Sequence, residues 1–391
     1  PRSTPSNSSA ASDVYKRQTI YMAYYIISKY VNDGKLKAKN LIESFFDYVL
    51  LAKGDLKKAS KEAKISAALL RKIRKDFEYW YPVDWRNSGK DLVSNHLLYY
   101  LYNHIAIFPR KYWPKAISVN GWVKIEGQKM AKSTGRAITF KTGMEKYGAD
   151  VIRTVVSTTA SPEQDSDFRE NEAENVLRWK QRFYNTILEI SKVKTTAGKQ
   201  SNLDRWLQSR VAQAIKTVTD NLEVLNTREA AQVCLYQLAS DVKWYLRRSA
   251  GAVSKVAKDV ASDWVKMVSV YMPHIAEELW FKLGNKGFIS AASWPKHNAK
   301  MIDKKAEQVE ESIKKVVEDV NHIKSIIKKT PERIYLYTIP SELKVYAEAE
   351  NFFGKEFRAK VKIFAVNDKD KYDPENKASK AKPGKPAIYL E

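Results

Sequence analysis

Apolar residues recur at helical spacing through most of this 391-residue chain, and the places where that rhythm fails divide it into segments. Residues 1–18 hold few apolar positions and many Ser and Pro, a composition that does not pack. The change at Thr19 is abrupt, so that stretch is expected to be disordered and foreign to the fold. From there T-I-Y-M-A-Y-Y-I-I-S-K-Y predicts a core helix into which Tyr21, Tyr24 and Tyr25 pack. Residues 35–75 predict helix, with a strongly basic amphipathic stretch, K-A-S-K-E-A-K-I-S-A-A-L-L-R-K-I-R-K. Phe77 to Asp84, F-E-Y-W-Y-P-V-D, reads as a buried strand leaving into a loop at Pro82, and Ile117 to Val123 as another strand. Tyr147 to Arg153 opens a helix with Asp150 in its first turn. Residues 171–296 are helical throughout, broken by short polar stretches. Lys304 to Lys329 predicts a long charged helix with a Val/Ile stripe, stopped by Pro331. Arg333 to Ile339 and Ala359 to Val366 then alternate like strands. The expected fold class is α/β, then all-α, then α+β.

Charge changes this picture. With 68 Lys and Arg against 45 Asp and Glu the formal charge is +23, which favours a polyanion partner. The single cysteine, Cys234, excludes an internal disulfide framework and a cysteine zinc site, as suits a reducing cytoplasm. No apolar run reaches membrane-spanning length.

The densest candidate chemistry lies at Gly127 to Gly135, G-Q-K-M-A-K-S-T-G. Lys129 and Lys132, between a Gly turn and a Ser-Thr-Gly end, can present two mobile ammonium groups to phosphates. The Walker order G-x-x-x-x-G-K-[ST] is absent, and a solvated basic turn is the plain alternative. Upstream, Gly89 follows a strand and precedes Asp91. At the carboxyl end of a parallel sheet that carboxylate can accept from two vicinal ribose hydroxyls; it can equally cap a helix. His96 and His104, eight apart on an aromatic face, read as packing rather than metal ligands. Trp244, Tyr245, Arg247 and Arg248 interleave rings and cations as RNA-binding surfaces do, although in a bundle such rings are more often core.

The lysine loop resembles the K-M-S-K-S loop of class I aminoacyl-tRNA synthetases. The order G-K-D-x-x-x-x-H, W-P, N-G-W and K-M-A-K-S-x-G resembles the second half of their Rossmann catalytic domain in the methionyl/leucyl/isoleucyl/valyl subgroup. T-I-Y-M-A-Y-Y and F-E-Y-W-Y-P-V-D-W-R-x-S-G-K-D resemble the leucyl branch of archaeal and eukaryotic type. D-R-W-L-Q-S-R, D-V-K-W-Y-L-R-R and M-P-H-I-A-E-E-L-W resemble the anticodon-binding helix bundle. The end, P-G-K-P-A-I-Y-L-E, resembles a small archaeal carboxyl-terminal domain that reaches the long variable arm of the tRNA.

The resemblance implies half a Rossmann domain over 19–125, a loop and stem-contact region over 126–168, the bundle over 169–297 and the small tRNA-binding domain over 298–391. It implies ATP with Mg2+, leucine and tRNA(Leu) as partners of a cytoplasmic monomer. Lys129 and Lys132 would be catalytic. Gly89, Asp91, His96, Asn120, Gly121, Met130, Lys132 and Ser133 would meet ATP, and Tyr21 would border the leucine pocket. Arg153, Arg247 and Arg248 would touch tRNA, and no protein metal site is implied. Two positions depart from the family pattern: Ala131 stands where Ser is usual and Arg136 where Asn is usual. None of His96, His104, His274, His297 and His322 lies in the family's H-I-G-H motif, and the inserted editing domain is missing. The chain therefore reads as a carboxyl-terminal portion with half a site, expected to be inactive alone. A sister synthetase for Ile, Val or Met, or a non-catalytic RNA-binding remnant, is the rival reading.

Overall fold

The computed structural model describes residues 20–129, 140–161, 164–193, 200–328 and 331–391. They fall into two units, residues 1–131 with 160–167, and residues 132–159 with 168–391.

The first unit opens with four helices: α1 Tyr21–Asn32, α2 Glu43–Leu50, α3 Leu56–Ala63 and α4 Ala67–Trp80. Asp55 caps α3 by accepting from the Lys58 N–H at 2.9 Å, and Ser66 caps α4 by accepting from Leu69 at 3.2 Å. Ile27, Phe45, Leu70, Ile73 and Phe77 close the core between them. The expected strand at Phe77 is instead the last turn of α4. Leu70, Ile73 and Phe77 continue one helical stripe, whereas Tyr79 and Trp80 point out at 78% and 61% exposure, and Pro82 stops the helix. The expectation for α1 is corrected too: Ala23, Ile27 and Tyr30 are its buried face, and Tyr24 and Tyr25 are exposed.

Beyond Pro82 the chain enters β1, Arg86–Gly89, crosses through α5, Leu98–Ile107, and returns as β2, Ile117–Asn120. The two strands are parallel, with Arg86 opposite Ile117 and Gly89 opposite Asn120, so a helical crossover is required. The second strand does not run on to Val123. It ends at Asn120, just before Gly121, where a Cβ would collide with the Gln164 carbonyl. The chain then forms a hairpin, β3 Val123–Ile125 with β4 Gln128–Lys129, whose central residues Glu126 and Gly127 both have positive φ, +48° and +76°. That is the turn whose twist matches two antiparallel strands. β5, Ser166–Phe168, lies on the other edge of β3.

The second unit is helical, then mixed. α6 Phe140–Tyr147 and α7 Ala149–Thr158 lead to α8 Glu170–Lys192, α9 Asn202–Glu223 and α10 Thr227–Ala231. A π-helical turn, Gln232–Gln237, joins α10 to α11 Leu238–Arg248; α12 Lys255–Val268 and α13 Pro273–Lys282 follow. The wide turn frees carbonyls, and two indoles take them: Trp264 donates to Cys234 at 2.6 Å and Trp179 to Leu235 at 2.7 Å. Asp150, at the start of α7, accepts from the His274 and Ile275 N–H groups, 3.1 and 2.8 Å, at the positive end of α13.

The tail begins with α14, Lys304–Ile327. β6 Arg333–Thr338 is the centre of a three-stranded sheet, parallel to β7 Lys360–Ala365 and antiparallel to β8 Ala387–Leu390. Two short helices, α15 Leu343–Ala347 and α16 Glu350–Phe357, make the crossover between β6 and β7.

Candidate functional site

The carboxyl ends of β1 and β2 gather four of the expected ATP residues. Gly89 and Asn120 are the last residue pair of the parallel register. Asp91 follows in a short turn and is exposed, with its Oδ1 folded back so that a Cβ on Gly89 would lie 2.6 Å from it. A side-chain relay fixes this edge. Trp85 donates to Ser118 at 2.8 Å, Ser118 to Asn87 at 2.8 Å, Asn87 to Asn120 at 3.0 Å, and Asn120 to the Gly121 carbonyl at 2.9 Å. The exposed Asp91 carboxylate beyond the strand ends can accept from a diol, whereas the side of Gly121 that a Cβ would occupy is taken by the Gln164–Asp165 backbone.

Asp165 ties this edge to the hairpin. Its carboxylate takes the Lys90 ammonium at 2.5 Å, the Lys124 ammonium at 3.3 Å and the Trp122 N–H at 2.9 Å. The Lys90 hydrogen bond, then the Trp122 N–H, pull its pKa down to about 2. Asp167 accepts from the Gly127 N–H at 2.8 Å, which holds the turn of the hairpin leading into the lysine loop. Lys129 closes β4 through its backbone register with Lys124. Met130, Ala131, Lys132, Ser133 and Arg136 lie outside the described residues.

His96 and Tyr21 gather around Arg86. One Arg86 amino group donates to His96 Nε2 at 2.7 Å and to the Tyr21 hydroxyl at 3.1 Å, and the guanidinium lies 4.8 Å over the Tyr100 ring. Because an arginine only donates, His96 Nε2 accepts, so the ring is neutral with its proton on Nδ1. Burial, then the neighbouring guanidinium, lowers the His96 pKa. Arg86 Nε is buried with no hydrogen-bond partner among the described residues. His104 is a packing residue: Nδ1–H donates to the Tyr100 carbonyl at 2.8 Å and Nε2 accepts from the Tyr81 hydroxyl at 3.2 Å. Among the described residues no group of three or more His, Cys, Asp or Glu could hold a metal.

Sequence reasoning missed Arg86, Lys90 and Asp165. Lys90 sat inside the quoted S-G-K-D string, but Asp165 is 75 residues away from it and no local pattern joins the two.

The expected tRNA arginines are engaged inside the second unit. Arg153 is exposed, and its Nε donates to the Val270 carbonyl at 3.1 Å. Arg247 grips Glu356 with both ends of its fork, Nε at 2.7 Å and Nη2 closer still. Arg248 meets both oxygens of Glu310 at 3.2 and 3.3 Å, and Trp244 donates to the same carboxylate at 3.0 Å. Trp244 and Tyr245 are core, and Arg248 is largely covered, its side chain 12% exposed.

Comparison with known proteins finds two families along the chain. The family described as "tRNA synthetases class I (M)" matches residues 65–185, and "Anticodon-binding domain of tRNA ligase" matches residues 204–336. The chain is 39% identical to the leucine–tRNA ligase of Archaeoglobus fulgidus over 95% of its own length and 44% of that protein. It is 43% identical to the leucine–tRNA ligase of Methanosarcina barkeri over 83% of its length and 33% of that protein. Thus it spans less than half the length of these curated relatives. A solved LeuRS from Agrobacterium radiobacter K84, in a ternary complex with tRNA and LeuAMS, overlaps 66% of this chain and 33% of its own. Its TM-score is 0.50 at 18% identity, a likeness of fold. No described helix is long and apolar enough to cross a membrane.

Proposed function

We propose that this chain, a relative of the archaeal leucine–tRNA ligases over nearly all its length, forms the carboxyl-terminal half of such an enzyme's working parts. The reaction joins leucine to ATP, giving leucyl-adenylate and pyrophosphate, and then passes the leucyl group to a terminal ribose hydroxyl of tRNA(Leu). Supporting this reading above all is the β1–β2 edge, where Gly89, Asp91, Asn120 and Gly121 stand together ahead of the lysine loop. On it, Asp91 accepts the ribose hydroxyls and the Gly121 backbone lies along the adenine. Lys129, Lys132, Met130 and Ser133 belong to the phosphate side, where the lysines offset charge as the leucine carboxylate attacks the α-phosphate. Mg2+ rides on the substrate's phosphates.

Tyr21, oriented by Arg86 together with His96, borders the leucine side. His96 acts here through Arg86 rather than on the adenosine and ribose, because its Nε2 is occupied by that guanidinium. The four regions 19–125, 126–168, 169–297 and 298–391 keep the roles expected of them, and the protein works as a cytoplasmic monomer. The bundle and the tail bind tRNA(Leu).

The test joins this chain to the amino-terminal catalytic half of an archaeal relative and measures amino-acid-dependent ATP–pyrophosphate exchange. Exchange should depend on leucine. Exchange driven by isoleucine, valine or methionine, or none with any of them, would refute the reading.

A further inference from the structure

The tail carries a second set of cations, disposed differently from the bundle arginines. Between α14 and the chain that leads into β8 lies an open groove of about 610 Å³, lined by Asp319 and His322 on one side and by Lys377, Lys380, Lys382 and Lys385 on the other. Four lysines thus face one carboxylate. The segment that bears them is fixed by its own backbone. Asp373 accepts from the Lys377 and Ala378 N–H groups at 2.7 and 2.9 Å, which starts the short turn Lys377–Lys380. Lys382 and Lys385 then exchange two backbone hydrogen bonds, 3.0 and 2.9 Å, across Pro383-Gly384. Gly384 has φ +68°, and its N–H is held by the Glu342 carboxylate at 2.9 and 3.1 Å. The buried Ala378 and Ala387 anchor both ends of the segment.

On this fixed backbone Lys377 pairs with Glu375 at 3.1 Å, whereas Lys380, Lys382 and Lys385 form no ion pair among the described residues. We propose that this groove binds the phosphodiester backbone of RNA, with Lys380, Lys382 and Lys385 each facing a phosphate and His322 on the opposite wall. The inference rests on the reading of the chain as a tRNA binder and names the residues that grip. An enclosed site with convergent donors would suit one small anion. Successive ammonium groups along an open groove suit successive phosphates, and as point charges they fix position without reading bases.

The test uses the full chain and an end-labelled tRNA(Leu) transcript, with affinity read by fluorescence anisotropy. K380Q/K382Q/K385Q should weaken binding about tenfold or more. K380R/K382R/K385R, which keeps the charge, should stay within about threefold of the parent. K53Q/K57Q/K61Q removes the same charge from an exposed surface elsewhere and should change affinity by less than about twofold. If the parent binds no tRNA, the underlying reading fails. If the parent binds and the two Gln triples weaken it equally, the groove is wrong while tRNA binding stands. Failure of the Arg triple to retain affinity, or displacement of the RNA by micromolar tripolyphosphate, would also overturn the groove.

Discussion

Two basic clusters in the second unit, of similar charge, are put to opposite uses. Arg247 and Arg248 close on Glu356 and Glu310, beside Trp244 and Phe352, and so fasten the bundle to the tail. Lys380, Lys382 and Lys385 stand on an anchored backbone with no carboxylate on them among the described residues. The first unit repeats the paired pattern, with Arg86 among Tyr21, His96 and Tyr100, and with Lys90 and Lys124 on Asp165. A cation that is answered inside the fold sets geometry. One that is left unanswered on a rigid support is available to a polyanion.

The largest effect should come from breaking the best-buried pair. Glu310 is 1% exposed and holds both Arg248 and Trp244, so Glu310→Ala leaves a covered guanidinium without its partner. A loss of about 3–5 kcal/mol in unfolding free energy of the second unit is expected in urea titration. A change below about 1 kcal/mol would show that the pair is solvated after all.

Next in size is Arg86→Ala, which strips His96, Tyr21 and the Tyr100 face of their common partner. Destabilisation of about 1–3 kcal/mol is expected, together with a raised His96 pKa, since one of the two causes that lower it is gone. NMR titration of the His96 ring checks the second point, and an unmoved midpoint would remove Arg86 from its role.

Smaller again is the Asp165 effect, which depends on pH. Its folded pKa, about 2, lies below that of a free carboxylate, so its contribution is present above about pH 4 and is lost as pH falls towards 2. Asp165→Asn should therefore lower stability above about pH 4, meet the parent as pH falls towards 2, and so flatten the acid limb of the stability curve. An acid limb identical to the parent's would refute this. Smallest is Arg247→Ala: the pair is partly exposed, and the expected loss is about 1 kcal/mol or less in the same urea titration. A loss near that of Glu310→Ala would move this pair into the buried class.

Much of the helical bundle was legible in the sequence because burial there follows a 3.6-residue rhythm, and the tail strands β6 and β7 because theirs follows two. Periodicity failed where aromatic residues dominate. Tyr79 and Trp80 favour strands intrinsically, yet they complete a helix whose other face carries Phe77 into the core. β8 was missed because a four-residue strand after Pro and Gly offers too few alternations to read. The expected nucleotide edge was visible as strings, since Gly89 with Asp91 and Asn120 with Gly121 each lie within one short run of the chain. Its bracing by Asp165 was not, because that contact is made only once the hairpin has folded. Likewise the sequence shows that Arg247 and Arg248 are basic, but not that Glu310 lies on the apolar stripe of α14 to receive one of them.

The salt dependence of tRNA(Leu) binding tests the contrast between answered and unanswered cations most directly. Log affinity against log salt should be linear and steep for the parent chain, since each phosphate that meets a lysine releases counterions. In K380Q/K382Q/K385Q the slope should flatten by about 2 to 3, whereas in Arg247→Gln it should not change. Equal flattening in both variants, or none in the lysine triple, would contradict the division of labour between the two clusters.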